Sequence, residues 1–352
     1  MKITISFFVF PILVLVGCQS NPENDTYNFS GEAQGTTYTI SYYADQKDRK
    51  EGVDSILRLF DQDLSLWVEN SLINRFNRFE RIDTVFSFYD STKYMSVTYE
   101  IAREVFRQTE GAFDPTVYPL VKAWGFGPDQ KRDTPPSNLD SLTRLVGFGH
   151  QNCDLMEIVE DYVYQVSWLS KGQPGVMIDF NGIAQGAAVD FIAEYLWREG
   201  INDFMIELGG EVYCAGLNKA GQPWQIAIDQ PLANGERAIQ EIVGVSNAGI
   251  ATSGSYRSFY EKDSKRFSHT IDPKSGYPVE HNLLSATVVA SDAAHADAYA
   301  TALMVMGPEK SKAFLSEPPT EIKAAYLIYE EQGKLSTWMT ESMQALITKP
   351  QP

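Results

Sequence analysis

Three features of the sequence predict an α+β fold built as one mixed unit. Strand-like and helix-like segments follow one another in mixed order, without the steady alternation of a doubly wound sheet. The hundred residues after Leu208 are rich in strand signals, and no fixed-period repeat or low-complexity linker interrupts Phe29 to Ile347. At about 150 residues per domain, 352 residues make roughly two domains or one large one. An apolar content of 43% supplies a packed core and excludes a disordered chain.

Phe29 to Tyr43 alternates around Gly35 and reads as one or two strands, and Gly52 to Leu66 has the 3.6-residue apolar period of a helix. A second helix is expected over Ser96 to Glu110, capped by Ser96 and closed by Gly111. Lys131 to Asn138, with Asp133, Pro135 and Pro136, reads as a loop before a short helix at Leu139 to Val146. Strands follow at Asp161 to Trp168 and Val176 to Phe180, then a helix at Asn181 to Glu199 closed by Gly200. Asp203 to Leu208 is the next strand, before a Gly209-Gly210 turn. Val212 to Ala215, Trp224 to Asp229, Ile239 to Val245 and Ser285 to Ala290 continue the strands. Ser291 is read as the cap of a helix reaching Met306. Ala324 to Tyr329 and Lys334 to Met339 form a hairpin turning at Gly333.

The amino terminus carries a targeting signal. Met1-Lys2 is a short positive start, and Ile3 to Val16 is apolar apart from Thr4, Ser6 and Pro11. That run falls short of the roughly 20 residues of a membrane-spanning helix and fits a secretion signal. Leu15-Val16-Gly17-Cys18 has the pattern of a bacterial lipoprotein lipobox, which predicts cleavage after Gly17 and acyl lipid, palmitate included, on Cys18. The expected organisation is a signal peptide at 1–17, a polar tether at 18–28, a domain at 29–347 and a tail at 348–352. The domain is then lipid-anchored to a bacterial membrane, outside the cytoplasm. Cys153 and Cys214 remain, and their count is compatible with one disulfide or with two free thiols. No CxxC and no Cys/His spacing points to zinc, haem or iron–sulfur chemistry.

Against 46 acidic residues stand 29 basic ones, a formal charge of −17 that repels a phosphate backbone and excludes nucleic acid as a partner. A phosphorylated substrate then needs local screening by a divalent cation, backbone amides or a helix N-terminus. Four stretches offer such chemistry, and each also has an ordinary structural explanation. Asp297 and Thr301, four residues apart on one helix face, are hard oxygen donors of the kind magnesium takes, or else a hydrogen-bonded carboxylate and a packed methyl. Ser268-His269-Thr270-Ile271-Asp272-Pro273 puts His269, a residue able to accept a proton near neutral pH, on a rigid turn that it could equally brace. Asp179-Phe180-Asn181-Gly182-Ile183-Ala184-Gln185-Gly186 leads a strand end into a helix N-terminus suited to phosphates, or packs closely for its own sake; GxGxxG is absent. Trp67, Gly111-Ala112-Phe113-Asp114 and Trp124 to Pro128 bring flat faces to glycine-rich loops, as an aromatic ring ligand or a core would require.

Taken in order, these runs resemble the ApbE-type FAD:protein FMN transferase family. The matching stretches are Gly35-Thr36-Thr37, Ser65 to Asn77, Gly111 to Pro128, Asp179 to Asp190, Glu207-Leu208-Gly209-Gly210, Ala251-Thr252-Ser253-Gly254, His269 to Gly276, and Ala296 to Leu303. The resemblance implies an α+β fold of the flavin transferase type. It implies a magnesium-dependent reaction in which FAD is cleaved at its pyrophosphate. FMN passes to a threonine or serine hydroxyl of an acceptor flavoprotein, a subunit of a membrane redox complex, and AMP is released. The alternative is an FAD pyrophosphatase giving free FMN and AMP. The resemblance places Mg2+ on the Gly182 carbonyl and the Asp297 and Thr301 side chains. It places FAD contacts on Gln34, Trp67, Ala112, Phe113, Asp114, Asp179, Gln185 and Ile271, and the proton acceptor on His269; Asp272, a carboxylate poorly matched to the role of base, orders the loop or orients a water. The chain departs from the family's pattern in having Gln185 where relatives have lysine, which removes a phosphate-facing cation. It also has Gln34 where methionine is usual.

Overall fold

The computed structural model describes residues 25–44, 47–126, 136–148, 166–232, 238–254, 259–262, 265–268 and 270–348. Its centre is an eight-stranded sheet in which every neighbouring pair is antiparallel. The strands, in spatial order, are β1 (Asp25–Ala33), β2 (Thr36–Ala44), β5 (Phe204–Leu208), β6 (Glu211–Ala215), β9 (Ala248–Gly254), β12 (Leu283–Ala290), β13 (Ile322–Glu331) and β14 (Lys334–Met339). Three two-stranded sheets accompany it: β3 (Phe86–Tyr89) with β4 (Val166–Leu169), β7 (Trp224–Asp229) with β8 (Ile239–Val245), and β10 (Phe259–Lys262) with β11 (Lys265–Ser268). The helices are α1 (Lys50–Leu64), α2 (Leu72–Asn77), α3 (Tyr94–Gln108), α4 (Tyr118–Trp124), α5 (Leu139–Thr143), α6 (Ala184–Arg198), α7 (Ala293–Phe314) and α8 (Glu341–Leu346).

Both faces of the large sheet are buried, and the strand alternation shows how. On one face Tyr38, Ile40 and Tyr42 of β2, Phe204, Ile206 and Leu208 of β5, and Ala286, Val288 and Ala290 of β12 meet the helical layer. That layer includes α1, whose Val53, Leu57, Phe60 and Leu64 recur at helical spacing, together with α3, α6 and α7. On the other face Val212, Cys214, Ile250, Val289 and Tyr326 pack against Trp224, Ile228 and Val243 of the β7–β8 hairpin and Met343 of α8. Cys214 is a free, fully buried thiol that burial holds well above the ordinary range; Cys153 lies outside the described residues.

The N-terminus of α7 is wedged between α6 and β9. A Cβ on Gly186 would stand 2.3 Å from the Ala293 carbonyl oxygen, and one on Gly249 would stand 2.3 Å from the Ala293 nitrogen. Backbone occupies both spaces, so neither can yield as a flexible side chain would. Gly186→Ala is therefore expected to cost about 3 kcal/mol, read as a lowered thermal midpoint. Unchanged melting would show that the helices part freely.

Several expectations are corrected. Ser96 does not cap its helix: α3 begins at Tyr94, Lys93 holds the cap position at φ 63°, and Ser96 is buried inside the first turn. Thr92 sets this start, since its hydroxyl donates to Asp63 Oδ2 (2.8 Å) and accepts from the Tyr94 N–H (3.5 Å). At α7 the cap is Asp292, whose Oδ1 accepts from the His295 N–H at 2.8 Å, while Ser291 merely donates to Asp292 Oδ2. A carboxylate is the better acceptor at the positive end of a helix.

Val176 to Phe180 is not a strand, because no strand lies beside it; a side chain takes that place. Asn77 Nδ2 donates to the Ile178 carbonyl (2.9 Å) and Asn77 Oδ1 accepts from the Ile178 N–H (2.8 Å). Residues 181–183 form a turn, so α6 starts at Ala184 rather than Asn181. Strand β1 begins at Asp25 and takes up residues 25–28 of the segment read as tether. The sequence reading has no counterpart for α2, β3, α4, β9, β10, β11 or α8. Residues 131–135 of the expected loop and 161–165 of an expected strand lie outside the described residues.

Candidate active site

Three of the residues proposed to contact flavin line one cleft of about 750 Å3, at the end of the sheet where α6 begins. Gln34 and Gly35, at φ 51° and 73°, make the two-residue turn joining β1 to β2, a tight turn that requires both residues in the left-handed region. The Gln34 Nε2 is buried without a protein partner among the described residues. Trp67 stands at the mouth with 63% of its surface exposed. Its loop is shaped by Asn74, whose Nδ2 donates to the carbonyls of Leu66 (2.9 Å) and Val68 (2.8 Å). Gln185, in the first turn of α6, lies with its amide against the Gly209 backbone at the β5–β6 turn, where a Cβ would be 2.7 Å from Gln185 Nε2.

An indole so exposed stabilises little, so its removal tests ligand contact cleanly. Trp67→Ala is expected to leave the thermal midpoint in place and to weaken FAD binding about fivefold, the loss of roughly 1 kcal/mol of ring contact. Quenching of FAD fluorescence on titration measures it. Equal affinity would take Trp67 out of the site.

The cleft connects to the proposed cation ligands through the residues just before and inside α6. A Cβ on Gly182 would stand 3.1 Å from Thr301 Oγ1 and 3.3 Å from a ring carbon of Phe113, so these three residues are packed together. Asp297 lies one turn before Thr301 on α7, and its Oδ2 accepts from the Gly186 N–H at 3.3 Å. Thr301 Oγ1 is 3.2 Å from Ser253 Oγ of β9. Asp297 is 5% exposed, and burial pushes its carboxyl up to about 7; the one opposing influence is the Gly186 N–H. A buried carboxylate with so little compensation fits a cation, and a carboxylate, a hydroxyl and a carbonyl are hard oxygens. Among the described residues no three His, Cys, Asp or Glu side chains gather as a metal cluster, so the fit rests on a mixed set of one carboxylate, a hydroxyl and a carbonyl.

The other proposed contacts surround this junction less directly. Ala112 and Phe113 are buried, and Phe113 reaches Gly182. Asp114 braces its own loop: Oδ1 accepts from the Thr116 N–H (2.8 Å) and hydroxyl (2.5 Å), and Oδ2 from the Phe148 N–H (3.4 Å). Asp179 is held by its N–H to the Pro115 carbonyl (2.7 Å), accepts from the Asn181 N–H (2.7 Å), and is pushed up to about 6 by burial. Ile271 is buried with Leu120, Trp124 and Leu139, away from the cleft's lining. Asp272 orders its loop as expected, its carbonyl accepting from the Gly276 N–H and its Oδ1 from the Lys274 N–H, while Trp124 Nε1 donates to the Gly276 carbonyl. His269 lies outside the described residues.

The sequence reading missed Asn74 and Asn77, which shape two of these loops, although both stand in the Ser65 to Asn77 run. Their signal was two amides three residues apart in a short helix that also carries Arg75, which spacing alone does not separate from surface polarity.

The sequence pattern of the ApbE family matches residues 34–326. The chain is 36% identical over 340 residues to the FAD:protein FMN transferase of Haemophilus influenzae, covering 95% of this chain and 94% of that protein. It is 34% identical over 347 residues to that of Escherichia coli K12, covering 95% of each. Among solved structures, the flavin transferase ApbE from Vibrio cholerae superimposes with a TM-score of 0.78 at 32% identity, covering 92% of this chain and 99% of that one. The apo flavinyl transferase ApbE from Pseudomonas stutzeri gives 0.77 at 31% identity, covering 92% and 96%. Relatives and fold together define an enzyme of the transferase class. The chain belongs to the ApbE family of flavin transferases, as its ordered motifs imply.

Proposed function

We propose that this enzyme moves FMN from FAD onto a threonine or serine hydroxyl of an acceptor flavoprotein and releases AMP. One observation supports it most: a single short segment joins the cleft to the buried carboxylate. Gln185 lines the cleft, and the next residue, Gly186, bonds Asp297. A dinucleotide with its ring in the cleft beside Trp67 thus has its pyrophosphate directed to the start of α6, where the positive end of the helix dipole favours anions.

In the reaction the acceptor oxygen forms a bond to the FMN phosphorus, the bridging P–O bond breaks, and AMP departs with the electron pair. His269 takes the proton of the attacking hydroxyl, a role its intrinsic basicity suits. The Gly182 carbonyl, Asp297 and Thr301 would hold Mg2+, which would supply neutralisation of the pyrophosphate charge. Gln34, Trp67, Ala112, Phe113 and Gln185 hold the substrate directly. Asp114 and Asp179 shape the loops that border it, and Ile271 anchors the loop that follows His269. With Gln185 in place of a lysine, the phosphates depend more heavily on backbone amides and the cation.

The location follows from the amino terminus. Cleavage after Gly17 and lipid on Cys18 would anchor the domain to a bacterial membrane outside the cytoplasm, on the periplasmic side. Its acceptor is then a flavoprotein subunit of a membrane redox complex. The test is to incubate the enzyme with FAD and such a subunit, and to inspect the denatured acceptor for fluorescence. A band that requires Mg2+ and is lost in His269→Ala supports the proposal. A band that forms equally well without either would refute it.

A further inference from the structure

We propose that Asp190 is a positioning residue that clamps α7 onto α6 and so holds Asp297 and Thr301 opposite Gly182 and Gly186. The inference rests on the reading of Asp297 and Thr301 as cation ligands. Asp190 lies one helical turn beyond Gly186 on α6, and both of its oxygens reach across to the next helix. Oδ1 accepts from the Ala293 N–H at 2.9 Å and Oδ2 from the Ala294 N–H at 2.8 Å. These are among the first N–H groups of α7, which have no partner within their own helix, and a carboxylate there also meets the positive end of the helix dipole. Asp292 caps the same end from within the chain, through the His295 N–H.

One turn further along α7 the second tie occurs, from the Gly186 N–H to Asp297 Oδ2. Two ties a turn apart on both helices fix their rotation as well as their separation, which one tie cannot do. The bare Gly186 backbone, pressed against the Ala293 carbonyl, lets the helices come close enough for both. Ligand spacing is therefore set by a carboxylate that touches neither substrate nor cation, and residues that orient metal ligands typically change metal affinity by about 10–100-fold when removed.

The test uses the mature chain with bound FAD and no acceptor, Mn2+ as the probe cation, and loss of the free Mn2+ resonance as the measure of binding. Asp190→Asn, which cannot accept both N–H groups, is expected to bind Mn2+ about tenfold more weakly while its FAD affinity stays that of the parent. In an Asp297→Asn background the same change is expected to add nothing. If Asp190→Asn fails to fold, Asp190→Ser, which keeps a single acceptor oxygen, is read by the same criteria. A folded variant with parental Mn2+ affinity, or a loss that simply adds to that of Asp297→Asn, overturns the clamp alone. A parent protein whose Mn2+ binding is indifferent to Asp297→Asn overturns the cation reading and the clamp with it.

Discussion

Asp297→Asn is expected to keep the fold and to lower FMN transfer by about 10³-fold, the scale on which removal of one charge-stabilising group acts in a dry site. The amide retains the shape and an oxygen to accept from Gly186, so the loss falls on charge rather than packing. The pH dependence carries the same signature. With its carboxyl pushed up to about 7, Asp297 is expected to be contested by protons and the proposed cation, so at limiting Mg2+ the rate should rise with pH through about 7. Excess Mg2+ moves that rise to lower pH. The sign for stability is opposite. A carboxyl whose folded pKa lies above its unfolded value of 3.8 contributes stability at low pH that is lost as pH climbs through about 7. The metal-free protein is expected to melt higher near about pH 5 than near about pH 8, with Mg2+ removing much of the difference. Calorimetry with and without chelator reads it, and a metal-free protein that gains stability over that interval would remove Asp297 from the argument.

Asn77→Ala is expected to damage both stability and substrate binding. The Asn77 amide is 5% exposed and stands in for a neighbouring strand, satisfying both the N–H and the carbonyl of Ile178. Its own carbonyl accepts from the buried Lys171 ammonium at 3.0 Å, and that main-chain contact survives the substitution. Removing the amide leaves two buried backbone groups unpaired, a cost of about 3 kcal/mol. It also frees the segment carrying Asp179, so FAD affinity should fall together with stability, as urea titration and FAD binding on one preparation would show. A variant that melts early yet binds FAD as tightly as the parent would confine Asn77 to the fold.

What the sequence made legible follows from the range of the forces involved. Helix α1 was readable from its local apolar period, α6 from the glycine that closes it and the first part of α7 from the polar residues at its start, and the Asp297–Thr301 pair because i and i+4 share a face in any helix. The strand β9, Ala-Gly-Ile-Ala-Thr-Ser-Gly, has no β-branched run; it is a strand because β6 and β12 pair with it on either side. Val176 to Phe180 shows the reverse, a strand-like pattern whose neighbour is one asparagine. Asn77 and Asp190 act on backbone 101 and 103 residues away, a distance over which no periodicity carries a signal. The motif order was visible throughout, and it identified the family before the contacts explained why the motifs sit where they do.

Cleavage of FAD is expected to be coupled to labelling of a protein hydroxyl. This coupling is tested most directly by measuring AMP release and covalent FMN together while the acceptor concentration is varied at fixed FAD and Mg2+. One AMP is expected for each FMN bound, both rising with acceptor and both lost when Mg2+ is chelated. AMP released at full rate without acceptor, and unaltered when acceptor is added, would contradict it and make the enzyme an FAD pyrophosphatase.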